Sequence, residues 1–177
     1  MNLSINKKDV EGSFDSIASN LLRKKALFIN NTEIRFTEIE FYYFGENHQD
    51  NYTHKHKRGE GEWRFHNQGL DITFQGNDTI DGGILIRGIF VDGEFINGPR
   101  RVVGRIFEIL GNVNNESHLV LKDSSERHCE ITKTFRHLPN KVYPDFHHKP
   151  YRYLTDLDIL EIIKSEKELI RNNSIEL

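Results

Sequence analysis

Apolar residues occupy both alternating sets of positions in the stretch Thr37-Glu38-Ile39-Glu40-Phe41-Tyr42-Tyr43-Phe44-Gly45. Aromatic and β-branched residues that end at a glycine predict a β-strand. Counted by twos, one face carries Ile34, Phe36, Glu38, Glu40, Tyr42 and Phe44. The other carries Glu33, Arg35, Thr37, Ile39, Phe41 and Tyr43. A strand that is apolar on both faces in its second half runs through the interior. Glu38 and Glu40 then share a face with large apolar groups, where a carboxylate needs a partner, a hydrogen bond or a chemical role. The simplest expectation is a bulge at the strand end that lets both acids reach solvent or an arginine.

Around Phe14 the period changes. Phe14, Ile17, Ala18, Leu21 and Leu22 repeat at helical spacing, with Ser13 or Asp15 as cap and Lys24 and Lys25 closing the helix. Ala26 to Ile29 predicts a short strand, which Asn30-Asn31 turns into the acid-bearing one. Glu46 to Gly61 reads as a polar loop. Glu62 to His66 and Leu70 to Phe74 form a hairpin pattern about Asn67-Gln68-Gly69. Ile84 to Val91 is the most apolar run and predicts a central strand, in which Arg87 requires an acceptor.

Asp92-Gly93 turns the chain, and Asn97-Gly98-Pro99 opens a helix that Gly111 ends. Its buried stripe is Val102, Val103, Ile106, Ile109 and Leu110. His118 to Leu121 and Arg127 to Phe135 are further strands. Pro139, Pro144 and Pro150 mark an irregular segment ending in an edge strand over Lys149 to Leu154. A last helix, capped by Thr155 or Asp156, turns Leu157, Leu160, Ile163 and Leu169 inward. The predicted class is α+β: a single domain over residues 1–177, with loose ends at 1–12 and 172–177. Its sheet is antiparallel, strongly curved and open-barrel-like, with helices packed around it.

Composition narrows the function classes. A chain of 177 residues with 12 Phe is large enough for one real core. The net charge of -3 and pI near 6.3 lack the basic footprint of a nucleic-acid binder, so any such role needs cations gathered on one face. Cys129 stands alone, which excludes an internal disulfide and a thiol-rich zinc site and suits a reducing compartment. Residues 1–9 lack a signal-peptide core and no run reaches membrane length, so a cytoplasmic monomer with no membrane partner is expected.

Three constellations carry candidate chemistry. Glu40, His54 and His56, with His66 as an alternative ligand, offer the imidazole and carboxylate donors of a zinc or iron site. A metal-free and cofactor-free alternative uses Glu40 alone: desolvated against Tyr42 and Phe44, it deprotonates water in a hydrolase. The third is the interleaving of aromatics with Lys55, Lys57 and Arg58 between Tyr52 and His66, joined by Arg100, Arg101 and Arg105 at a helix start. Such groups stack on bases and hold phosphates.

The order of segments resembles the alkyladenine (3-methyladenine) DNA glycosylases. Their opening helix ends in Leu-Leu-Gly-Lys, similar to Asn20-Leu21-Leu22-Arg23-Lys24. Their Glu-Thr-Glu-Ala-Tyr strand resembles Glu38-Ile39-Glu40-Phe41-Tyr42, and a histidine after a polar loop resembles His54. Their aromatic hairpin resembles Gly61-Glu62-Trp63-Arg64-Phe65-His66, and Val-Leu-Ile-Arg-Ala resembles Ile84-Leu85-Ile86-Arg87-Gly88. An Asn-Gly-Pro helix start and a late Lys-Pro-Leu-Arg-Phe strand have counterparts in Asn97-Gly98-Pro99 and Lys149-Pro150-Tyr151-Arg152-Tyr153.

The resemblance spans roughly residues 15 to 155 and implies a monofunctional DNA N-glycosylase of base excision repair, acting on a flipped, alkylated base in duplex DNA. It implies Glu40 as the general base, Tyr42 and His54 as pocket walls, His66 near a pocket tyrosine of the family, and Arg87 behind the site. Lys55, Lys57, Arg58, Arg100 and Arg101 would hold the DNA backbone. Departures are the hairpin tip Asn67-Gln68-Gly69, which has no aromatic to enter the duplex, and Ile89-Phe90 in place of a Glu-Pro. The family's pocket asparagine has Gln75 and Asn77 as competing counterparts. The remaining alternatives are a non-catalytic nucleic-acid or nucleotide binder on the same fold, and the His/Glu metal protein.

Overall fold

The structure, a computed structural model, describes residues 1–114, 116–136, 138, 142–157 and 164–177. The opening helix α1 (Val10–Lys24) begins a turn before its apolar stripe. Asp9, rather than Ser13 or Asp15, is its N-cap and accepts the Gly12 N–H at 2.9 Å. Phe14, Ile17, Ala18, Leu21 and Leu22 are its buried face, as their spacing predicts. β1 (Lys25–Ile29) and β2 (Thr32–Gly45) form a hairpin about Asn30-Asn31. After β3 (His48–Gln49) come the hairpin β4 (Trp63–His66) and β5 (Gly69–Thr73), then the long β6 (Asp81–Val91).

Asp92 and Gly93, with φ of 52° and 83°, make a two-residue hairpin turn into β7 (Glu94–Asn97). That strand is missed when the turn is read as leading straight to a helix. The chain continues through α2 (Pro99–Leu110), β8 (Leu119–Asp123), β9 (Ile131–Thr134), α3 (Pro144–His147), β10 (Arg152–Thr155), α4 (Lys164–Asn172) and β11 (Ile175–Glu176). No helix among the described residues is long and apolar enough to cross a membrane.

All strand pairs are antiparallel, and the sheet curls into a half-barrel with the order β11-β9-β10-β2-β6-β5-β4, matching the expected α+β class. β2 is the hub, pairing with β1, β3, β6 and β10. The strand expected at an edge is interior, because β10 lies between β9 and β2. The strand expected from Arg127 starts only at Ile131. Both ends expected to be loose are held: Leu3 is in the core and β11 pairs with β9. In the last helix Ile170 faces inward, whereas Leu169 is 61% exposed. Pro139, Leu160 and Ile163 lie outside the described residues.

The main core fills the space between the sheet and the helices α1 and α2. Phe14, Phe41 and Phe74 stack there, with Val102 and Ile106 from α2. Its outline corrects the count by twos along β2. Ile34 and Phe36 lie in the same core as Ile39, Phe41 and Tyr43, so the strand changes phase in the middle. The register shows why: Phe36 pairs with Ile89, Glu38 with Gly88 and Ile39 with Ile86, leaving Thr37 and then Arg87 as extra residues. The two bulges offset each other, so both strands flip phase together and pairing resumes. A Cβ on Gly88 would lie 2.7 Å from Thr37 Oγ1 and 2.9 Å from Glu38 Cβ, so the double bulge needs a glycine there. The consequence is functional: Glu38, Glu40, Tyr42, Leu85 and Arg87 leave the helix-packed face and line up on the opposite one.

Candidate functional site

On that opposite face two acids meet two arginines. Glu38 and Glu40 are only 2% and 0% exposed. Arg87 Nε donates to Glu38 Oε1 at 2.7 Å, and Arg152 Nε donates to the same oxygen at 2.8 Å. Arg87 Nη1 stands 3.4 Å from both carboxylate oxygens of Glu40. Arg152 reaches on to Glu166 of α4 at 3.0 Å. Burial alone would pull the Arg87 guanidinium down, but Glu40 and Glu38 outweigh it and leave it above its ordinary value. One buried and one part-buried positive charge thus face two buried negative ones, the condition under which such charges can persist in a protein interior. Glu38, unexplained by the spacing, is the acceptor that both arginines share. Its bulge is mid-strand, and the acids turn inward to arginines rather than out to water.

The phenol of Tyr42 donates to Glu40 Oε2 at 2.8 Å. Burial first, and then the charge of Glu40, hold that phenol well above its usual range. Above it opens a pocket of about 400 Å³. Tyr42 and Arg87 form part of its wall, whereas Glu40 lies behind Tyr42 and is not on the wall. Rings of Tyr52, His54, His66 and Tyr143 supply much of the rest, together with Leu85, Pro99 and Val142. Arg136, fully buried, lies 4.6 Å from the Tyr42 ring centre and 5.7 Å from that of Tyr52. It is anchored on Asp50 at 2.6 Å and on the Phe41 carbonyl at 3.0 Å.

Another carboxylate stands on the wall itself. Asp71 of β5 accepts from Arg64 Nη1 at 2.9 Å, and His66 Nε2 lies 3.0 Å from the same Asp71 oxygen. His66 Nδ1 accepts the Gln68 N–H at 3.2 Å, so the ring proton of the neutral imidazole sits on Nε2. The Nε2 contact is close, yet it lacks hydrogen-bond geometry. Arg64 and Asp71 are direct cross-strand partners in the hairpin. Once the turn is placed at Asn67-Gln68, counting outward brings them together, a signal present in the sequence. Arg152, Arg136 and Asp50 had no comparable local signal.

The four residues expected at a binding site, Tyr42, His54, His66 and Arg87, all line this pocket. Glu40 lies directly behind it. The cations separate into two groups. Lys57 lies 3.9 Å from Asp78, Arg58 pairs with Glu62, and Arg105 pairs with Asp92 and Glu108. Lys55 sits over the Phe44 ring at 4.3 Å, Arg100 donates to the Asn67 carbonyl and Arg101 to that of Asn97. Among the described residues these three make no ion pair, and Lys55 and Arg100 are chain neighbours of the wall residues His54 and Pro99.

The residues of the metal expectation are not brought together. Among the described residues no three His, Cys, Asp or Glu side chains are grouped to hold an ion. His56 turns away to the Gly82 carbonyl at 2.9 Å, while His54 faces His66 with ring centres 6.2 Å apart. Comparison with family models, with curated proteins and with solved structures finds no match for the chain. The class is therefore defined by fold and site alone: an α+β half-barrel with a ring-walled pocket set over a buried acid–arginine network.

Proposed function

We propose that this pocket takes a nucleobase turned out of nucleic acid and that the protein hydrolyses the bond joining it to the sugar. The observation that carries the reading is the pocket itself: about 400 Å³, walled by Tyr42, Tyr52, His54, His66 and Tyr143, with the Glu40–Tyr42 hydrogen bond at its base. Rings on several sides suit a flat aromatic ligand, whose desolvated faces stack on them. Because Glu40 is behind the phenol, its basicity is delivered through Tyr42. A water attacking C1′ gives its proton to the Tyr42 oxygen as the phenol proton passes to Glu40. The C1′–O bond forms as C1′–N breaks, and that electron pair leaves with the base. An alkylated, cationic purine departs neutral and needs no added proton. Lys55 and Arg100, which adjoin the wall residues His54 and Pro99, and Arg101 make no ion pair among the described residues and are the cations best suited to phosphates.

The zero exposure of Glu40 favours a second reading, a binder of nucleic acid or nucleotides on the same fold without hydrolysis. Incubation with duplex DNA carrying 3-methyladenine or 7-methylguanine separates the two. Release of free base by the wild type is expected, with a drop of about 100-fold or more for Glu40→Gln. Binding without release leaves the second reading. Equal release by wild type and variant removes Glu40 from the mechanism.

A further inference from the structure

The hairpin β4–β5 gives the pocket a chemical preference that the rings do not. Asp71 is 8% exposed, and its Oδ2 is occupied by Arg64 and faced by His66 Nε2. Its Oδ1 makes no hydrogen bond among the described residues, and the side chain borders the pocket. Arg64 holds the carboxylate in place, and an ionised carboxylate only accepts. A pocket bordered by an anionic acceptor with a free oxygen is suited to a ligand that brings hydrogen-bond donors.

We infer that Asp71 is a specificity-determining residue that selects bases bearing an exocyclic amino group. The amino N–H donates to Asp71 Oδ1. An oxo group at the same edge would bring one acceptor against another, and a ring with neither group would leave the carboxylate desolvated and unpaired. Arg64 is a positioning residue: it fixes Asp71 and does not itself read the base. The inference rests on the nucleobase reading above and names the class of base.

Isothermal titration calorimetry with adenine, guanine and purine, each methylated at N9 so that no imidazole N–H can donate in place of the amino group, tests it without requiring turnover. The wild type should bind adenine or guanine about tenfold or more tighter than purine, as a charge-assisted hydrogen bond implies. In Asp71→Asn the gap should shrink to about twofold. Because that variant leaves Arg64 unpaired, Arg64→Gln with Asp71→Asn serves as a charge-balanced second variant with the same expected loss of preference. Equal binding of all three bases by the wild type overturns the inference while leaving the nucleobase reading intact. A preference that survives in both variants also overturns it. Failure of every base to bind the wild type overturns the nucleobase reading, and this inference with it.

Discussion

Tyr42 and Glu40 form one hydrogen-bonded unit at the scale of single residues. The carboxylate is sealed from the pocket and the phenol is not, so the two contribute differently. Tyr42→Phe keeps the ring that would stack on a base and deletes the oxygen that would relay the proton. Base release is expected to fall toward the level of Glu40→Gln, while calorimetric affinity for free base stays within about twofold of wild type. A parallel loss of affinity would show instead that the phenol serves in binding. The adjacent Glu38 has a separate task. Holding Arg87 Nε and Arg152 Nε on one oxygen, it ties β2, β6 and β10 together beneath the site.

At the scale of elements, the double bulge between β2 and β6 decides which side chains face the pocket. An uninterrupted alternation would place Glu38 and Glu40 on the side of Ile34 and Phe36, in the core between sheet and helices. Thr37 and Arg87, one extra residue on each strand, move them to the other side while preserving the pairing beyond. Gly88 sits at this crossing, where any side chain meets Thr37 and Glu38. Gly88→Ala is expected to cost about 1–3 kcal/mol, the range for forcing an extra methyl into a packed interior. Urea unfolding measures this, and an unchanged midpoint would show that the crossing is looser than its contacts imply.

At the scale of the whole molecule, an aromatic cluster joins α1 to the sheet and to the α3 region. His48 lies inside it, with ring centres of Phe146, Tyr43 and Tyr151 at 4.8, 5.6 and 5.6 Å. Its Nδ1 faces the Tyr43 carbonyl at 2.9 Å and its Nε2 the Tyr151 hydroxyl at 2.8 Å. Burial lowers its pKa below the ordinary 6.5, and the Tyr43 carbonyl only partly counters this. As pH falls, the unfolded chain therefore takes up the proton first. The stability is full above the unfolded value of about 6.5 and declines below it, until the folded His48 also titrates. Unfolding free energies from about pH 7 down to about pH 5 should fall for wild type and fall less steeply for His48→Gln. Parallel curves would remove His48 from the acid response.

Much of this protein was legible in its linear pattern, for local reasons. Helical spacing from Phe14 to Leu22, the turns at Asn30-Asn31 and Asp92-Gly93, and the apolar run through Ile84 depend on neighbours a few residues away. The need of Arg87 for an acceptor follows from its surroundings in that run, and Glu38 and Glu40 meet it. The α+β class with a curved antiparallel sheet belongs to the same local arithmetic. Tertiary structure alone decided the rest. A bulge leaves no mark in the alternation, so only the pairing of β2 with β6 reveals which face carries the acids. The interior place of β10, and with it the second arginine on Glu38, depends on pairing across more than a hundred residues. Asp71 borders the pocket, with Oδ1 unbonded among the described residues, only because strand packing brings it there. The acids were visible as a pattern, but their face, their partners and the phenol that screens one of them are products of long-range packing.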